Sequence, residues 1–126
     1  MKNILIVDPL HGDTHQELLR RFGFPGARKT GARTALEQVR KGRSVDLVIT
    51  ELELEDRDGI EFVADLRKSR PDLPVIIVTE QGSIETYLKA ASLGVVEYLN
   101  KPVLKNELRR IVNLALDSGP TFPRAA

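Results

Sequence analysis

Short apolar runs, separated by longer segments of helical periodicity, make up the pattern of hydrophobic and polar positions along this chain. Four runs are rich in β-branched residues: residues 4–7, 47–49, 75–78, and 95–96 leading into 98–99. Runs that do not alternate with polar residues are typical of strands buried on both faces, as in a parallel sheet. A weaker strand is predicted near residues 27–29, where the polarity indicates a short edge strand.

Apolar side chains at helical spacing fill the segments between the strands. The predicted apolar stripes are Leu18, Leu19 and Phe22; Ala32, Ala35, Leu36 and Val39; Ile60, Phe62, Val63 and Leu66; Ile84, Leu88 and Ala91; and Leu104, Leu108, Ile111, Val112 and Ala115. Asp13 is predicted to cap the first helix, with Gln16 in the capping-box position. Asp58 and Glu61 have the same spacing before the third helix, and Ser83 is a candidate cap for the fourth.

Strands that alternate with helices predict right-handed crossovers, with helices on both faces of a parallel sheet. The fold class is therefore α/β, with a single doubly wound sheet of five strands. The apolar pattern stops at the sequence Asp-Ser-Gly-Pro of residues 117–120. We expect one domain over residues 1–117, and a tail or the start of a linker over residues 118–126.

The composition of the chain excludes several classes of protein function. The 126 residues carry a formal net charge of +1 and no cysteine, which excludes disulfides, thiolate catalysis and cysteine zinc sites. No apolar segment approaches the ~20 residues of a membrane span, and the first apolar run is too short for a signal-peptide core. We therefore expect a cytoplasmic protein without membrane contact.

Basic residues crowd the first third of the chain. They are Arg20, Arg21, Arg28, Lys29, Arg33, Arg40, Lys41 and Arg43. No aromatic stacking residues interleave with them, so we expect solvated helix surfaces rather than a nucleic-acid site. Salt-dependent binding would reveal the nucleic-acid alternative.

Polar residues follow each strong strand at the edge where parallel strands end together and where ligands bind in such sheets. They are Asp8 and Pro9; Thr50 and Glu51; Thr79 and Glu80; and Asn100, Lys101 and Pro102. An Asp, a Glu, a Thr and a Lys are thus predicted to converge on one small area.

With these motifs, and with the Asp-Gly pair at residues 58–59, the chain resembles the receiver domain of response regulators from about residue 2 to residue 116. The resemblance implies a flavodoxin-like sheet of order 2-1-3-4-5. It also implies two acids after the first strand that hold Mg²⁺, and a phosphoacceptor Asp after the third. A Thr or Ser after the fourth strand and a Lys after the fifth then bind the phosphoryl oxygens.

Five positions match that pattern. Asp8 matches the first acid, Thr79 the hydroxyl and Lys101 the lysine. Tyr98 matches the aromatic residue that changes rotamer on activation. Pro102 matches a proline that usually follows a cis peptide bond.

Three positions depart from it. Glu51 stands in place of the phosphoacceptor, Pro9 in place of the second acid, and Glu80 where a small residue usually leaves room for the phosphoryl group. The longer Glu side chain displaces its oxygen by roughly 1 Å, and misplacement on that scale costs ~10²-fold in rate. Losing an oxygen ligand weakens Mg²⁺ binding, and an anion at position 80 repels a phospho-donor.

These departures favour a pseudo-receiver: a signalling domain, not an enzyme, that acts through protein contacts. We expect no cofactor, and Mg²⁺ weakly at most, through Asp8 and Glu51. Its expected partners are an output domain, a sensor kinase or another regulator. A homodimer through the fourth helix, fifth strand and fifth helix is a further candidate. The residues proposed for that surface are Tyr87, Lys89, Glu97 and Arg110.

Two alternatives stay open. One is a phosphorylatable receiver that uses Glu51 or another residue with Mg²⁺, and the other is a small-ligand-binding domain at the same strand edge. His11 and His15 lack typical metal-ligand spacing and are expected at the surface.

The charges at the strand ends predict specific contacts. We expect Lys101 to form an ion pair with Glu51, Glu80 or Asp8. We also expect Glu51 to hold Thr79 as a phosphoryl group does, with Tyr98 pointing inward. In the alternative arrangement, Glu51 bonds Lys101 and leaves Thr79 free.

Overall fold

The computed structural model describes residues 2–41 and 44–118, except for the side chain of Ser118. Strands and helices alternate in the predicted order. The elements are β1 (Ile4–Val7), α1 (Gly12–Arg21), β2 (Gly26–Lys29), α2 (Ala32–Arg40), β3 (Leu47–Thr50), α3 (Gly59–Ser69), β4 (Val75–Thr79), α4 (Ile84–Ser92), β5 (Glu97–Asn100) and α5 (Lys105–Ser118). Within the described residues, no helix combines the length and apolar character needed to cross a membrane. The domain bounds stay a prediction, since the expected tail lies outside the described residues apart from Ser118.

The five strands form one parallel sheet of order β2-β1-β3-β4-β5, which confirms the predicted fold class. Val7 at the end of β1 pairs with Thr50 at the end of β3, and Thr79 pairs with Asn100 across β4 and β5. Thr50 also pairs with Ile77, so β4 runs two residues past β3, and the residues that follow the strands emerge near one edge of the sheet. Strands β1, β3 and β4 are buried throughout, whereas the edge strands β2 and β5 are mostly half-buried.

Each central strand contributes side chains to two hydrophobic cores, one on each face of the sheet. Leu5 and Val7 belong to the core that α2 and α3 cover, and Ile4 and Ile6 belong to the core that α1 and α5 cover. Successive strand side chains point to opposite faces. This is why the strands appear in the sequence as unbroken apolar runs.

The predicted cap of α1 is wrong. The helix begins one residue before Asp13, and His11 at the N-cap makes no side-chain cap bond. The amide of Gln16 instead donates from Nε2 to the carbonyl of Gly26 in β2 at 3.0 Å. Asp8 closes the loop, because its Oδ1 accepts the backbone N–H groups two and three residues further along at 2.8 and 2.9 Å.

The other two predicted caps are present. Asp58 accepts a hydrogen bond from Ile60 N at 2.8 Å, although Glu61 does not complete the box among the described contacts. Ser83 forms a full capping box with Thr86 at the start of α4. Both caps satisfy N–H groups that a helix start leaves without intrahelical partners.

Two of the apolar residues predicted at helical spacing in α4, Ile84 and Leu88, do not lie against the sheet. Ile84 is 80% exposed and Leu88 is 61% exposed, while Ala90 is the buried residue of this helix. Apolar residues at helical spacing indicate that one face of a helix is more apolar than the other. They do not establish that the apolar face lies against the sheet.

Candidate functional site

Four predicted site residues meet at the carboxyl edge of the sheet. Asp8 follows β1, Glu51 follows β3, Thr79 ends β4 and Lys101 follows β5. Their side chains are buried, with exposures of 3% for Asp8, 2% for Glu51 and 5% for Lys101. Thr79 is fully buried. The parallel strands end near a common edge and so bring these residues together, as expected from their positions at or after the strand ends.

Lys101 lies at the centre of this cluster. Its Nζ is 2.8 Å from Asp8 Oδ2, 3.0 Å from Glu51 Oε2 and 2.8 Å from His11 Nδ1. The predicted ion pair is therefore confirmed for Asp8 and Glu51. Glu80 is exposed, and it is not among the described partners of Lys101.

Glu51 turns its carboxylate back into the protein. Its Oε1 accepts the backbone N–H of Leu52 at 2.6 Å, and its Oε2 accepts the N–H of Glu80 at 3.2 Å besides facing Lys101. Both oxygens are thus engaged by backbone donors or by the ammonium. A buried carboxylate needs such partners to offset the loss of water.

Asp8 divides its two oxygens between two tasks. Oδ1 binds the backbone of the loop before α1, and Oδ2 binds Lys101. Burial on its own would raise the pKa of Asp8. The hydrogen bond from Lys101 and the N–H bonds from His11 and Leu10 outweigh burial, so the pKa lies below the ordinary value of 3.8. Asp8 is consequently a firmly ionised partner for Lys101.

The prediction that His11 and His15 are surface residues is wrong. His11 contacts Lys101, and His15 Nδ1 lies 4.0 Å from Asp8 Oδ2 with its side chain 12% exposed. Burial lowers the pKa of His15 below 6.5, and the nearby Asp8 opposes this without reversing it. The two histidines are four residues apart, which places them on one face at the start of α1. This four-residue spacing is the feature of the sequence from which their shared position beside the cluster could have been predicted.

Thr79 does not contact Glu51 among the described hydrogen bonds, so the expected bond between them is wrong. Its Oγ1 instead accepts the N–H of Gln81 at 2.9 Å. The physical reason is that both oxygens of Glu51 are already engaged. The structure therefore has the alternative arrangement. Glu51 pairs with Lys101, and Thr79 forms its hydrogen bond with the β4–α4 loop instead.

Tyr98 is half-buried, and its hydroxyl reaches the first turn of α4. The hydroxyl lies 2.6 Å from Thr86 Oγ1 and accepts the N–H of Ser83 at 3.2 Å. Its ring packs edge-on against the ring of Tyr87 at a centroid distance of 5.5 Å. The aromatic residue of the predicted switch is thus tied to α4 by contacts that strand and helix patterns do not indicate.

The remaining predicted residues border the cluster. The Lys101–Pro102 peptide is cis, as the resemblance implies, and the carbonyl of Pro9 faces Arg28 Nη2 at 3.4 Å. A cavity of about 280 Å³ opens beside Lys101. It is lined by His11, Thr14, His15, Leu18, Glu80, Lys101, Pro102 and Val103. Within the described residues, no three His, Asp or Glu side chains are arranged to hold a metal ion.

The chain matches the family model of the response regulator receiver domain over residues 4–113. It therefore belongs to the receiver-domain family of two-component response regulators. Proteins of this family, and the relatives described next, are signalling proteins rather than classical enzymes.

Curated relatives include full-length regulators. Transcriptional regulatory protein ZraR of Escherichia coli O157:H7 is 36% identical over 116 residues, which are 90% of this chain and 26% of that protein. DNA-binding transcriptional regulator NtrC of Azospirillum brasilense is 35% identical over 102 residues, 81% of this chain and 21% of that protein. The chain spans about a quarter of the length of the first relative and about a fifth of the second.

Solved structures share the fold closely. A CheY-like response regulator receiver domain protein from Methanospirillum hungatei has a TM-score of 0.89 and 27% identity, covering 94% of this chain and 95% of that one. The beryllofluoride-activated NtrC4 receiver domain dimer has a TM-score of 0.80 and 25% identity, covering 94% and 95%.

Proposed function

We propose that this receiver domain transmits signals through protein contacts and does not accept a phosphoryl group at the usual position. One observation carries the proposal: the Lys101 ammonium lies between Glu51 and Asp8, at 3.0 and 2.8 Å. The residue in the phosphoacceptor position is thus paired with a cation from within the protein.

The geometry of Glu51 argues against its acting as a nucleophile. Attack on phosphorus requires a free carboxylate oxygen in line with the leaving group. Each oxygen of Glu51 is already held, one by Leu52 N and the other by Lys101 and Glu80 N. Attack would have to break these contacts, and reactions that depend on positioning lose rate steeply when the reacting atoms move by about 1 Å.

The donor set also fits Mg²⁺ poorly. The facing oxygens of Asp8 and Glu51 are directed at an ammonium, and Pro9 supplies no carboxylate. Mg²⁺ requires near-ideal octahedral oxygen geometry and gives up its water reluctantly. We therefore propose weak Mg²⁺ binding at most and no other cofactor.

Intact-mass spectrometry with a small phospho-donor tests the proposal. Wild type incubated with acetyl phosphate, with and without Mg²⁺, is expected to stay unmodified. The double variant Glu51→Asp with Pro9→Asp is expected to regain part of the Mg²⁺ affinity. Glu85→Asp, an exposed Glu-to-Asp change in α4, is the matched control and should bind Mg²⁺ no better than wild type. If the double variant gains no Mg²⁺ affinity, adding Glu80→Ala tests whether the Glu80 side chain still prevents Mg²⁺ binding.

The same measurement separates the two alternative functions. A phosphorylated wild-type species mapped to Glu51 or Asp8, formed only with Mg²⁺, would establish the phosphorylatable receiver and overturn the proposal. A small-ligand domain is less favoured, since the cavity of about 280 Å³ at the site is slightly below the usual range of ligand pockets.

The face formed by α4, β5 and α5 is the proposed protein-contact surface, with a second copy of the chain as its occupant. Ile84, Tyr87 and Leu88 are exposed along α4. Exposed apolar clusters of this kind often mark interaction sites. Of the residues predicted for this surface, Lys89 and Arg110 are exposed as well. The similarity to a receiver domain dimer supports this choice of partner.

Analytical ultracentrifugation tests the dimer. The variant Ile84→Asp with Leu88→Asp should be monomeric at concentrations where wild type dimerises. Leu10→Asp changes an apolar residue of similar exposure, 65%, in the loop before α1 and serves as the control. A monomeric wild type would exclude the self-association and leave an output domain, a sensor kinase or another regulator as the proposed partner.

Contact with nucleic acid is not part of the proposed function of this domain. Several basic side chains of α1 and α2 already have acidic neighbours, with Arg20 and Arg21 near Glu17 and Arg33 near Glu37. Pairs within one helix reduce the positive field that attracts phosphates. A cytoplasmic location belongs to the same proposal, since response regulators are typically cytoplasmic.

A further inference from the structure

We infer that His11 is a positioning residue that completes the hydrogen-bond shell of Lys101 and keeps its ammonium between Asp8 and Glu51. The inference rests on the proposed function in one respect, namely that the site is built around this internal cation. It adds a residue to which the family pattern assigns no role.

The shell of Lys101 is complete only with His11. An ammonium group has three N–H donors. The described hydrogen bonds of Lys101 Nζ go to Asp8 Oδ2 at 2.8 Å and to His11 Nδ1 at 2.8 Å, and Glu51 Oε2 lies 3.0 Å away as an ion-pair partner. Because Lys101 faces two carboxylates it is the charged donor. His11 therefore accepts at Nδ1 and carries its own proton on Nε2.

The loop before α1 fixes His11 for this role. The backbone N–H of His11 donates to Asp8 Oδ1 at 2.9 Å, and its carbonyl accepts the N–H of His15 at 3.1 Å. His11 is thus held from both sides, as the N-cap of α1. The loop supplies an imidazole three residues after Asp8 and, at Pro9, no acid beside it.

The negative charge of the shell exceeds that of the Lys101 ammonium by one. Asp8 and Glu51 contribute two negative charges and Lys101 one positive charge, which leaves the buried cluster at −1. A neutral imidazole adds an acceptor without adding charge. A third buried carboxylate would instead raise the negative charge to −2 and favour a divalent ion. His11 therefore completes the shell without adding to this negative charge, whereas an acid at the same place would add to it.

Removal of the His11 ring leaves one N–H of a buried ammonium without a protein acceptor. Hydrogen bonds to charged groups contribute more than neutral ones, and an unmet buried donor is costly. We therefore expect Lys101 to become more mobile and its N–H protons to exchange faster with water.

Nitrogen-15 NMR of the Lys101 ammonium tests the inference. The exchange rate of its protons with water is measured in wild type, His11→Ala and His11→Asn. Asparagine places its Oδ1 close to the position of Nδ1, so it retains an acceptor without the ring. His15→Ala is the matched control, because His15 lies beside Asp8 and is not a described partner of Lys101.

The expected rates follow from the loss of one charged hydrogen bond. Exchange should rise about tenfold or more in His11→Ala and stay within about threefold of wild type in His11→Asn and His15→Ala. An unchanged rate in His11→Ala overturns the inference. A rate in His11→Asn as fast as in His11→Ala also overturns it, because the acceptor would then not be the cause.

Parallel treatment of the same samples with acetyl phosphate and Mg²⁺ distinguishes the two proposals. Phosphorylated wild type, together with the expected order of exchange rates, would overturn the proposed function and leave the role of His11 in place. Unmodified wild type with no difference between the variants would overturn the role of His11 alone.

Discussion

The hydroxyl of Tyr98 lies 2.6 Å from Oγ1 of Thr86, which ties the edge strand β5 to the first turn of α4. Thr86 is also a member of the capping box at the start of this helix, together with Ser83. One hydroxyl cluster thus satisfies the helix start and holds the aromatic side chain that the resemblance assigns to a switch. The orientation of α4 and the position of Tyr98 are therefore coupled.

The first prediction concerns this coupling. Tyr98→Phe removes the hydroxyl that contacts both Thr86 and Ser83, and we expect it to lower the free energy of unfolding by about 1 kcal/mol. Tyr87→Phe is the control, since this exposed ring packs against Tyr98. Urea unfolding should show a loss below about 0.5 kcal/mol for the control. Equal losses in the two variants would indicate that the hydroxyl cluster has no special role.

The second prediction concerns the buried ion pair. Lys101→Met leaves Asp8 and Glu51 buried and facing one another, and breaking a buried pair by removing one partner costs about 3–5 kcal/mol. Adding Glu51→Gln removes one of the two uncompensated charges and the repulsion between them. We therefore expect the double variant to be more stable than Lys101→Met alone.

Denaturant melts measure this pair of variants. Lys89→Met is the control, since Lys89 is exposed and lies 4.0 Å from Glu85. Such surface pairs contribute at most about 1 kcal/mol. A Lys101→Met protein as stable as wild type would show that the ammonium does not stabilise the fold.

The third prediction concerns pH. Burial lowers the pKa of His15 below 6.5, its ordinary value, so the folded protein favours the neutral ring. The unfolded chain then binds more protons just below pH 6.5, and stability rises with pH in that window. The contribution is complete above about pH 6.5 and is lost as pH falls toward the folded pKa.

Urea unfolding between pH 7.5 and pH 5 tests this dependence. Wild type should lose stability more steeply over this range than His15→Asn, which cannot titrate. Asp8 does not interfere, because its folded pKa lies below 3.8 and its contribution is lost only at lower pH. Identical slopes for the two proteins would show that His15 does not bind protons differently in the two states.

The fourth prediction concerns a cap supplied by a distant segment. Asp56, in the loop after β3, accepts the N–H of Ala32 at 2.7 Å and that of Arg33 at 3.0 Å. These two hydrogen bonds lower the pKa of Asp56 although the residue is exposed, and the bond from Arg33 has the larger effect. Asp56→Ala should cost about 1 kcal/mol in urea unfolding, as for other lost helix caps.

Asp13→Ala is the control for the cap. Asp13 is 84% exposed in the first turn of α1 and pairs loosely with Arg28 at 3.5 Å. Its loss should cost less than about 0.5 kcal/mol. Should Asp13→Ala prove as costly as Asp56→Ala, general charge effects at helix starts would explain both values.

Strand positions, helix order and the meeting of Asp8, Glu51 and Lys101 were predictable from the chain alone. Buried strands leave unbroken apolar runs, and parallel strands end at a common edge. The residue after each run was therefore assigned to one site without any knowledge of distances. The pairing of Lys101 with carboxylates followed from charge, because a buried ammonium needs acceptors.

Only the tertiary structure decided how the site divides its hydrogen bonds. Glu51 bonds Lys101 and the backbone rather than Thr79, His11 faces Lys101, and Tyr98 bonds Thr86. These choices depend on side-chain directions and on competition between donors from different segments. Residues such as Asp8 and Lys101 are 93 positions apart in the sequence. Periodicity describes which face of an element is apolar, but the partner that each polar atom finds is set by packing between elements.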